Sequence, residues 1–228
     1  MRPCETERDN PHQGRLRGGT CRVAEKMAPK VILTGFMATG KSTVARLLAR
    51  RLRWRLIDCD AEINTRAGKP IHQIFHDYGE AHFRAMERRM IAEITSDPRR
   101  CAQCGDRRPA VIALGGGAIV DPQNYAALRD CGVIICLSAR PEVIARRVAS
   151  SIKGRPMLAH GGMPVKQRIA ELMEKRREAY ARAAFTIDTS DRTIEQVVDA
   201  ILDALADAYP AIVHPLPQAA HNPNEPCK

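Results

Sequence analysis

The residues Gly35-Phe36-Met37-Ala38-Thr39-Gly40-Lys41-Ser42, followed by Thr43, fit the pattern G-x-x-x-x-G-K-[ST] in full. The chemistry of that spacing is the cradling of a triphosphate. A tight glycine turn aims backbone N–H groups inward, and the N-terminus of the following helix adds partial positive charge. Lys41 is placed to reach the β- and γ-phosphates, and the Ser42 hydroxyl to ligate Mg²⁺. An apolar run precedes the loop and a helical pattern follows it, the context the motif requires. The loop implies a nucleoside triphosphate and leaves its acceptor open.

Three further clusters bear on the acceptor. Asp58-Cys59-Asp60 ends an apolar run, and on a strand its two carboxylates would share one face and point into the crevice where open α/β sheets bind ligands. One could hold hydrated Mg²⁺ and the other a substrate hydroxyl; the alternative is that Asp60 simply caps a helix beginning at Ala61. Gly79-Glu80-Ala81-His82-Phe83-Arg84 opens a long helix. An arginine in a first turn opposes the helix dipole, so it calls for an anion nearby or stands solvated among Arg88 and Arg89. Leu114-Gly115-Gly116-Gly117-Ala118 closes another apolar run. Three glycines cost backbone entropy, and they suit either a ligand pressed against the backbone or a plain flexible turn.

The elements that must position these residues alternate along the chain. Lys30–Thr34, Arg55–Ile57, Ala110–Leu114, Val133–Leu137 and Phe185–Ile187 are predicted as short strands, several of them continuously apolar, as in parallel sheets covered on both faces. Lys41–Arg53, Glu80–Ser96, Asp121–Asp130, Pro141–Ser150, Val165–Ala183 and Thr193–Ala208 are predicted as helices. The alternation predicts an α/β, doubly wound parallel sheet. Residues 1–26 lack apolar periodicity and read as a disordered tail, or as sequence upstream of a true start at Met27. The domain is expected over 27–209, and 210–228, rich in proline, as a frayed C-terminal tail.

Composition excludes several classes. Among 228 residues no apolar run approaches the ~18 needed for a membrane span. Eight cysteines are too few for a disulfide scaffold at this size, and with no secretory signal at the N-terminus the expectation is reduced thiols in the cytoplasm. The net charge of +10 is compatible with nucleic acid or with small polyanions, and the 4% aromatic content disfavours a base-stacking surface. Cys101-Ala102-Gln103-Cys104 has the spacing of a zinc knuckle but no second pair, so it reads as two loop thiols. His72, His76 and His82 are spaced as helix-surface residues, and Cys59 as a buried thiol.

Taken together, the phosphate loop Gly35–Thr43, the Asp58/Asp60 pair, Gly79-Glu80 with Phe83-Arg84, the run Gly115–Gly117 and Arg155-Pro156-Met157-Leu158 resemble shikimate kinases in order and spacing, over about Lys30 to Leu205. The resemblance implies a five-stranded parallel sheet of the P-loop, nucleoside-monophosphate-kinase-like type with a mobile lid at about 151–163. It implies a monomer that phosphorylates the shikimate 3-hydroxyl with ATP and Mg²⁺ on the route to chorismate and aromatic amino acids. It places Asp60, Arg84, Gly115, Gly116, Gly117 and Arg176 on shikimate, Arg176 because it lies four before Tyr180 in an Arg-x-x-x-Tyr stretch. It places Ser42 and, through water, Asp58 on Mg²⁺. Lys41, Asp60 and the lid residue Arg155 would carry the chemistry. Arg192 would line the adenine pocket, and the loop residues Gly35, Met37, Ala38, Thr39, Gly40, Lys41, Ser42 and Thr43 would hold the phosphates. The chain departs from the family at the adenine-stacking arginine expected seven residues before Arg155: Val148 stands there, with Arg147 one residue earlier. Outside this family the alternatives are another P-loop metabolite kinase, such as a gluconate kinase, or a basic nucleic-acid-binding module with a vestigial ATPase.

Overall fold

The computed structural model describes residues 30–96, 109–149 and 164–213. Five parallel strands, β1 (Lys30–Gly35), β2 (Arg55–Asp58), β3 (Ala110–Ala113), β4 (Val133–Ser138) and β5 (Phe185–Asp188), form one sheet in the order β2-β3-β1-β4-β5. Around it lie α1 (Lys41–Leu52), α2 (Cys59–Ala67), α3 (Ile71–Thr95), α4 (Pro122–Cys131), α5 (Pro141–Ala149), α6 (Val165–Tyr180), α7 (Ile194–Ala208) and α8 (Pro210–Val213). A 3₁₀ turn, Ala118–Val120, precedes α4.

The strands are apolar throughout because both faces are covered. Val31, Leu33, Val111, Ile135 and Leu137 point to one side and pack on Val44 and Leu48 of α1 and Val198 and Ile201 of α7. The intervening residues Ile32, Ile112 and Ile134 point to the other side, against Met90 and Ile91 of α3 and Leu128 of α4. The period of two thus carries the core across the sheet, as a buried parallel sheet requires.

Capping residues set the helix entries. Asp121 accepts from the Gln123 and Asn124 N–H groups ahead of Pro122. Thr193 and Gln196 form a reciprocal capping box at the start of α7.

The chain runs from β1 outward to β2, returns through β3 beside β1, and then continues to β4 on the far side. The loops after β1 and β3 therefore meet at the carboxyl edge of the sheet, at the switch point where open α/β sheets bind ligands. A Cβ added to Gly116 would lie 3.3 Å from the Gly35 carbonyl oxygen, a measure of how closely the two loops touch.

The predicted strands all form, with small shifts at their ends. Four expectations need correction. A helix, α2, starts directly at Cys59, so Asp58 and Asp60 do not share a strand face: Asp58 ends β2 and caps α2, and Asp60 lies in the first turn of the helix. The long helix begins at Ile71, not Glu80, with a kink at Gly79 (φ 79°), so Arg84 lies beyond the first turn of the segment after the kink. The expected tail from Pro210 starts as the short helix α8, whose Ile212 packs against the core. Helix α6 stops at Tyr180, short of the predicted Ala183. The 1–26 segment, Cys101 and Cys104, and the whole lid with Arg155 lie outside the described residues.

Candidate active site

The loop after β1 keeps its shape through backbone geometry that side chains rarely adopt. Gly35 has φ 134°, and a Cβ there would collide with the Leu137 carbonyl oxygen. Gly40, with φ 92°, turns the chain into α1. Thr39 Oγ1 donates to the Phe36 carbonyl at 2.8 Å, and Lys41 Nζ folds back over the loop to the carbonyls of Gly35 (3.0 Å) and Phe36 (2.9 Å).

A cavity of about 520 Å³ opens from this loop toward α3 and the glycine run. Met37, Ala38, Gly40, Lys41, Ser42 and Thr43 line one wall. Asp60, Arg84, Gly115, Gly116, Gly117 and Arg176 line the others. Six of the residues expected at an acceptor thus stand around one space, brought from α2, α3, the loop after β3 and α6.

Two arginines meet the glycine run from different helices. A Cβ on Gly117 would sit 2.7 Å from both terminal nitrogens of Arg84. Arg176 donates from Nη1 to the Gly116 carbonyl at 3.1 Å, and its guanidinium lies over the Phe36 ring at 5.6 Å. The glycines are therefore explained by close approach of charged side chains, and a Cβ at Gly117 would push the Arg84 guanidinium from its place.

The anion that Arg84 calls for is supplied within its own helix. Arg84 Nη1 donates to Glu87 Oε2 at 2.7 Å, and Nη2 to Glu80 Oε1 at 3.1 Å. Burial works against the Arg84 charge, but Glu87 and Glu80 overcome it and hold the guanidinium above its usual value.

Glu87 is 2% exposed, and its Oε1 has no hydrogen-bond partner among the described residues. Burial pushes its carboxyl up, Arg84 and Arg176 pull it back, and Asp60 adds to the rise. Asp60 is likewise raised, first by burial and then by Asp58, against the pull of Lys41 and Arg84. A buried cluster of two carboxyls and two guanidinium groups, open on one side to a phosphate loop, can hold an anionic, hydroxyl-bearing ligand by paired donors and acceptors.

Not every expected residue joins this cavity. Asp58 caps α2, its Oδ1 accepting from the Ala61 N–H at 3.2 Å. Arg192 stands exposed in the loop after β5. Val148 is fully buried in a core cluster with Phe36 and Ile169. Its neighbour Arg147 instead turns inward, donating to the Ala38 carbonyl (3.2 Å), Thr189 Oγ1 (3.1 Å) and the Thr189 carbonyl (2.7 Å). Arg147 thus ties the phosphate loop to the segment after β5.

Sequence reasoning missed Glu87, and it used Tyr180 only to locate Arg176, without foreseeing that its hydroxyl donates to the Gly116 carbonyl at 2.6 Å. Glu87 was findable as an acidic residue within the buried stripe Phe83, Glu87, Met90 and Ile91. Cys59 is buried as expected, and burial, with Asp60 and Asp58 adding to it, raises its thiol far above the usual value.

The family model for shikimate kinase matches residues 37–206. The chain belongs to the shikimate kinase family. It is 43% identical over 171 residues to a shikimate kinase of Geobacter sulfurreducens, covering 75% of this chain and 87% of that one. It is 40% identical over 171 residues to a shikimate kinase of Caldanaerobacter subterraneus, covering 75% and 92%. Among solved structures it resembles a shikimate kinase from Acinetobacter baumannii in complex with shikimate, with 31% identity and a TM-score of 0.70 over 81% of this chain and 96% of that one. Its phosphate loop and glycine run stand side by side on a five-stranded parallel sheet.

Proposed function

We propose that the protein transfers the γ-phosphoryl group of ATP to the 3-hydroxyl of shikimate, giving 3-phosphoshikimate and ADP. The observation that carries this reading is the convergence of Arg84 and Arg176, from α3 and α6, on the glycine run beside Lys41. A planar guanidinium binds a carboxylate bidentately, and two of them from different helices fix its orientation. The complex of the Acinetobacter baumannii relative with shikimate supports the same acceptor.

The roles follow from position. Lys41 leaves the Gly35 and Phe36 carbonyls and turns to the phosphates when ATP occupies the loop. Met37 to Thr43 supply backbone donors to the same oxygens. Arg84 and Arg176 hold the acceptor carboxylate, Gly115 to Gly117 line its ring, and Asp60 faces its hydroxyls. Asp60 orients the attacking hydroxyl toward the γ-phosphorus or accepts its proton, a task suited to a carboxyl whose proton affinity is raised. Positioning two substrates in line is the larger share of the rate gain. Arg155 on the lid would meet the transferring phosphoryl, and Arg147 and Arg192 would frame the adenine side.

The hydroxyl of Ser42 and the carboxylate of Asp58 are hard oxygen donors of the kind Mg²⁺ prefers, and an ATP site needs few of them because phosphates and water complete the shell. Ser42 and Asp58 would hold the ion, which would supply positive charge against the phosphate oxygens. One chain supplies both the phosphate loop and the acceptor residues, so a monomer acting on small molecules suffices for this reaction. No described helix is long and apolar enough to cross a membrane.

A coupled ADP-release assay with shikimate, gluconate and other hydroxy acids tests the reading. Turnover with shikimate is expected. Turnover with gluconate alone would move the chain to the other kinase class.

A further inference from the structure

The Gly116 carbonyl receives two donors from α6. Tyr180 Oη reaches it at 2.6 Å and Arg176 Nη1 at 3.1 Å. The two residues stand four apart on the helix and so share a face. A carbonyl oxygen has two lone pairs, and these two donors take both.

The donors differ in freedom. The Tyr180 ring packs against two core clusters, one including Ile134 and Ala179 and the other Phe36 and Leu172. Its hydroxyl is therefore fixed by the core. The Arg176 guanidinium ends a long flexible chain; one N–H rests on Gly116, which leaves its remaining N–H groups to meet an incoming carboxylate.

We propose that Tyr180 is a positioning residue for the acceptor, its hydroxyl fixing the Gly116–Gly117 peptide and, through it, the guanidinium of Arg176. The proposal rests on the acceptor reading given above. A trans peptide points its C=O and its N–H in opposite directions, so holding the Gly116 carbonyl also sets the direction of the Gly117 N–H. Glycine peptides are the costliest to hold in one conformation, and Gly115 to Gly117 offer no side chain by which to hold them. Arg84 fills the space where a Cβ of Gly117 would be. The restraint must come from another element, and Tyr180 supplies it. Burial pushes the Tyr180 hydroxyl up to about 12, so it remains a donor across the working pH range.

Tyr180→Phe removes the hydroxyl and keeps the ring, so the core contacts persist. The test is isothermal titration of shikimate and of ATP, each alone, with the wild-type chain, Tyr180→Phe, Arg176→Lys and the double variant. Shikimate affinity is expected to fall about three- to tenfold in Tyr180→Phe, the worth of one hydrogen bond, with ATP affinity unchanged. The loss should be smaller when Arg176 is already lysine, because the two side chains act on one carbonyl. Unchanged shikimate affinity in Tyr180→Phe overturns the proposal, as do equal losses for both ligands or strict additivity in the double variant. Absence of shikimate binding by the wild-type chain would overturn the acceptor reading itself and the proposal with it.

Discussion

Arg84 is joined to Glu87 across 2.7 Å, and Glu87 is sealed from solvent while the arginine side chain stays 23% exposed to the cavity. The carboxylate works from behind, holding the guanidinium by one terminal nitrogen. Glu80 grips it from the outer side. The arginine is thus aimed before any ligand arrives, and preorganisation of this kind lowers the ordering cost of binding.

Glu87 should therefore matter through position and not through charge alone. Glu87→Ala leaves Arg84 with Glu80 as its remaining carboxylate partner and opens a void beside Gly115. A loss of about 1–3 kcal/mol in stability is expected for the broken buried bond, together with weaker shikimate binding. Glu87→Gln retains an acceptor oxygen at the same place and should keep shikimate affinity within a few fold. Chemical denaturation and titration of both variants check this; equal loss of binding in the two would refute the positional account.

Asp60 should cost the fold something. Its folded-state carboxyl is raised, first by burial, so the folded chain holds a proton that the unfolded chain releases. Stability then falls as pH rises through the raised value. Asp60→Asn removes that penalty. The melting temperatures of wild type and variant should nearly coincide below the ordinary carboxyl value, about pH 4, and the variant should gain on wild type toward neutrality. Its turnover should drop on the order of 10²-fold or more. A difference in melting temperature that does not vary with pH would contradict this assignment.

Lys41→Ala should lower turnover by about 10²–10³, the cost of removing one charge partner of a transferring group. The fold should tolerate it, because the two carbonyls that Lys41 now satisfies lie in a loop that also holds itself through Thr39. Steady-state kinetics beside circular dichroism separate the two effects. Near wild-type turnover would remove the phosphate loop from the mechanism.

The sheet was legible because Val31, Ile32 and Leu33 form an unbroken apolar run, and an unbroken run means burial on both faces. The phosphate loop was legible because its glycines answer a local backbone demand. Helix α2 was legible only as an alternative, from Ala61 with Asp60 as its cap; it starts two residues earlier behind Asp58, and Cys59–Ala67 carries only Cys59 and Ile63 as buried positions to mark it. The first half of α3 was hidden by Gly79, which reads as a boundary but is a kink. At the site, Arg84 and Arg176 came from family resemblance. Their meeting at the glycine run is a tertiary fact joining helices 92 residues apart in sequence, and local periodicity carries no trace of it. The same holds for Arg147, whose neighbour Val148 occupies the core because of where α5 packs.

The arginine pair gives the sharpest prediction. Arg84→Lys and Arg176→Lys each keep a positive charge near the glycine run and lose the planar fork. If the acceptor is held by its carboxylate, each should weaken shikimate binding by roughly 1.5–3 kcal/mol, the worth of a charge-assisted hydrogen bond, about ten- to a hundredfold in affinity. ATP affinity should move far less, since its phosphates are held by the backbone N–H groups of the loop and by Lys41, which neither variant alters. The two losses should not be equal. Arg84 has carboxylate partners on its own helix that a lysine can still reach in part, whereas Arg176 is 8% exposed and spends one donor on Gly116. Arg176→Lys should therefore show the larger loss. Titration of shikimate and ATP against each variant decides it, and unchanged shikimate affinity in both would leave the carboxylate of the acceptor without a binding partner in this cavity.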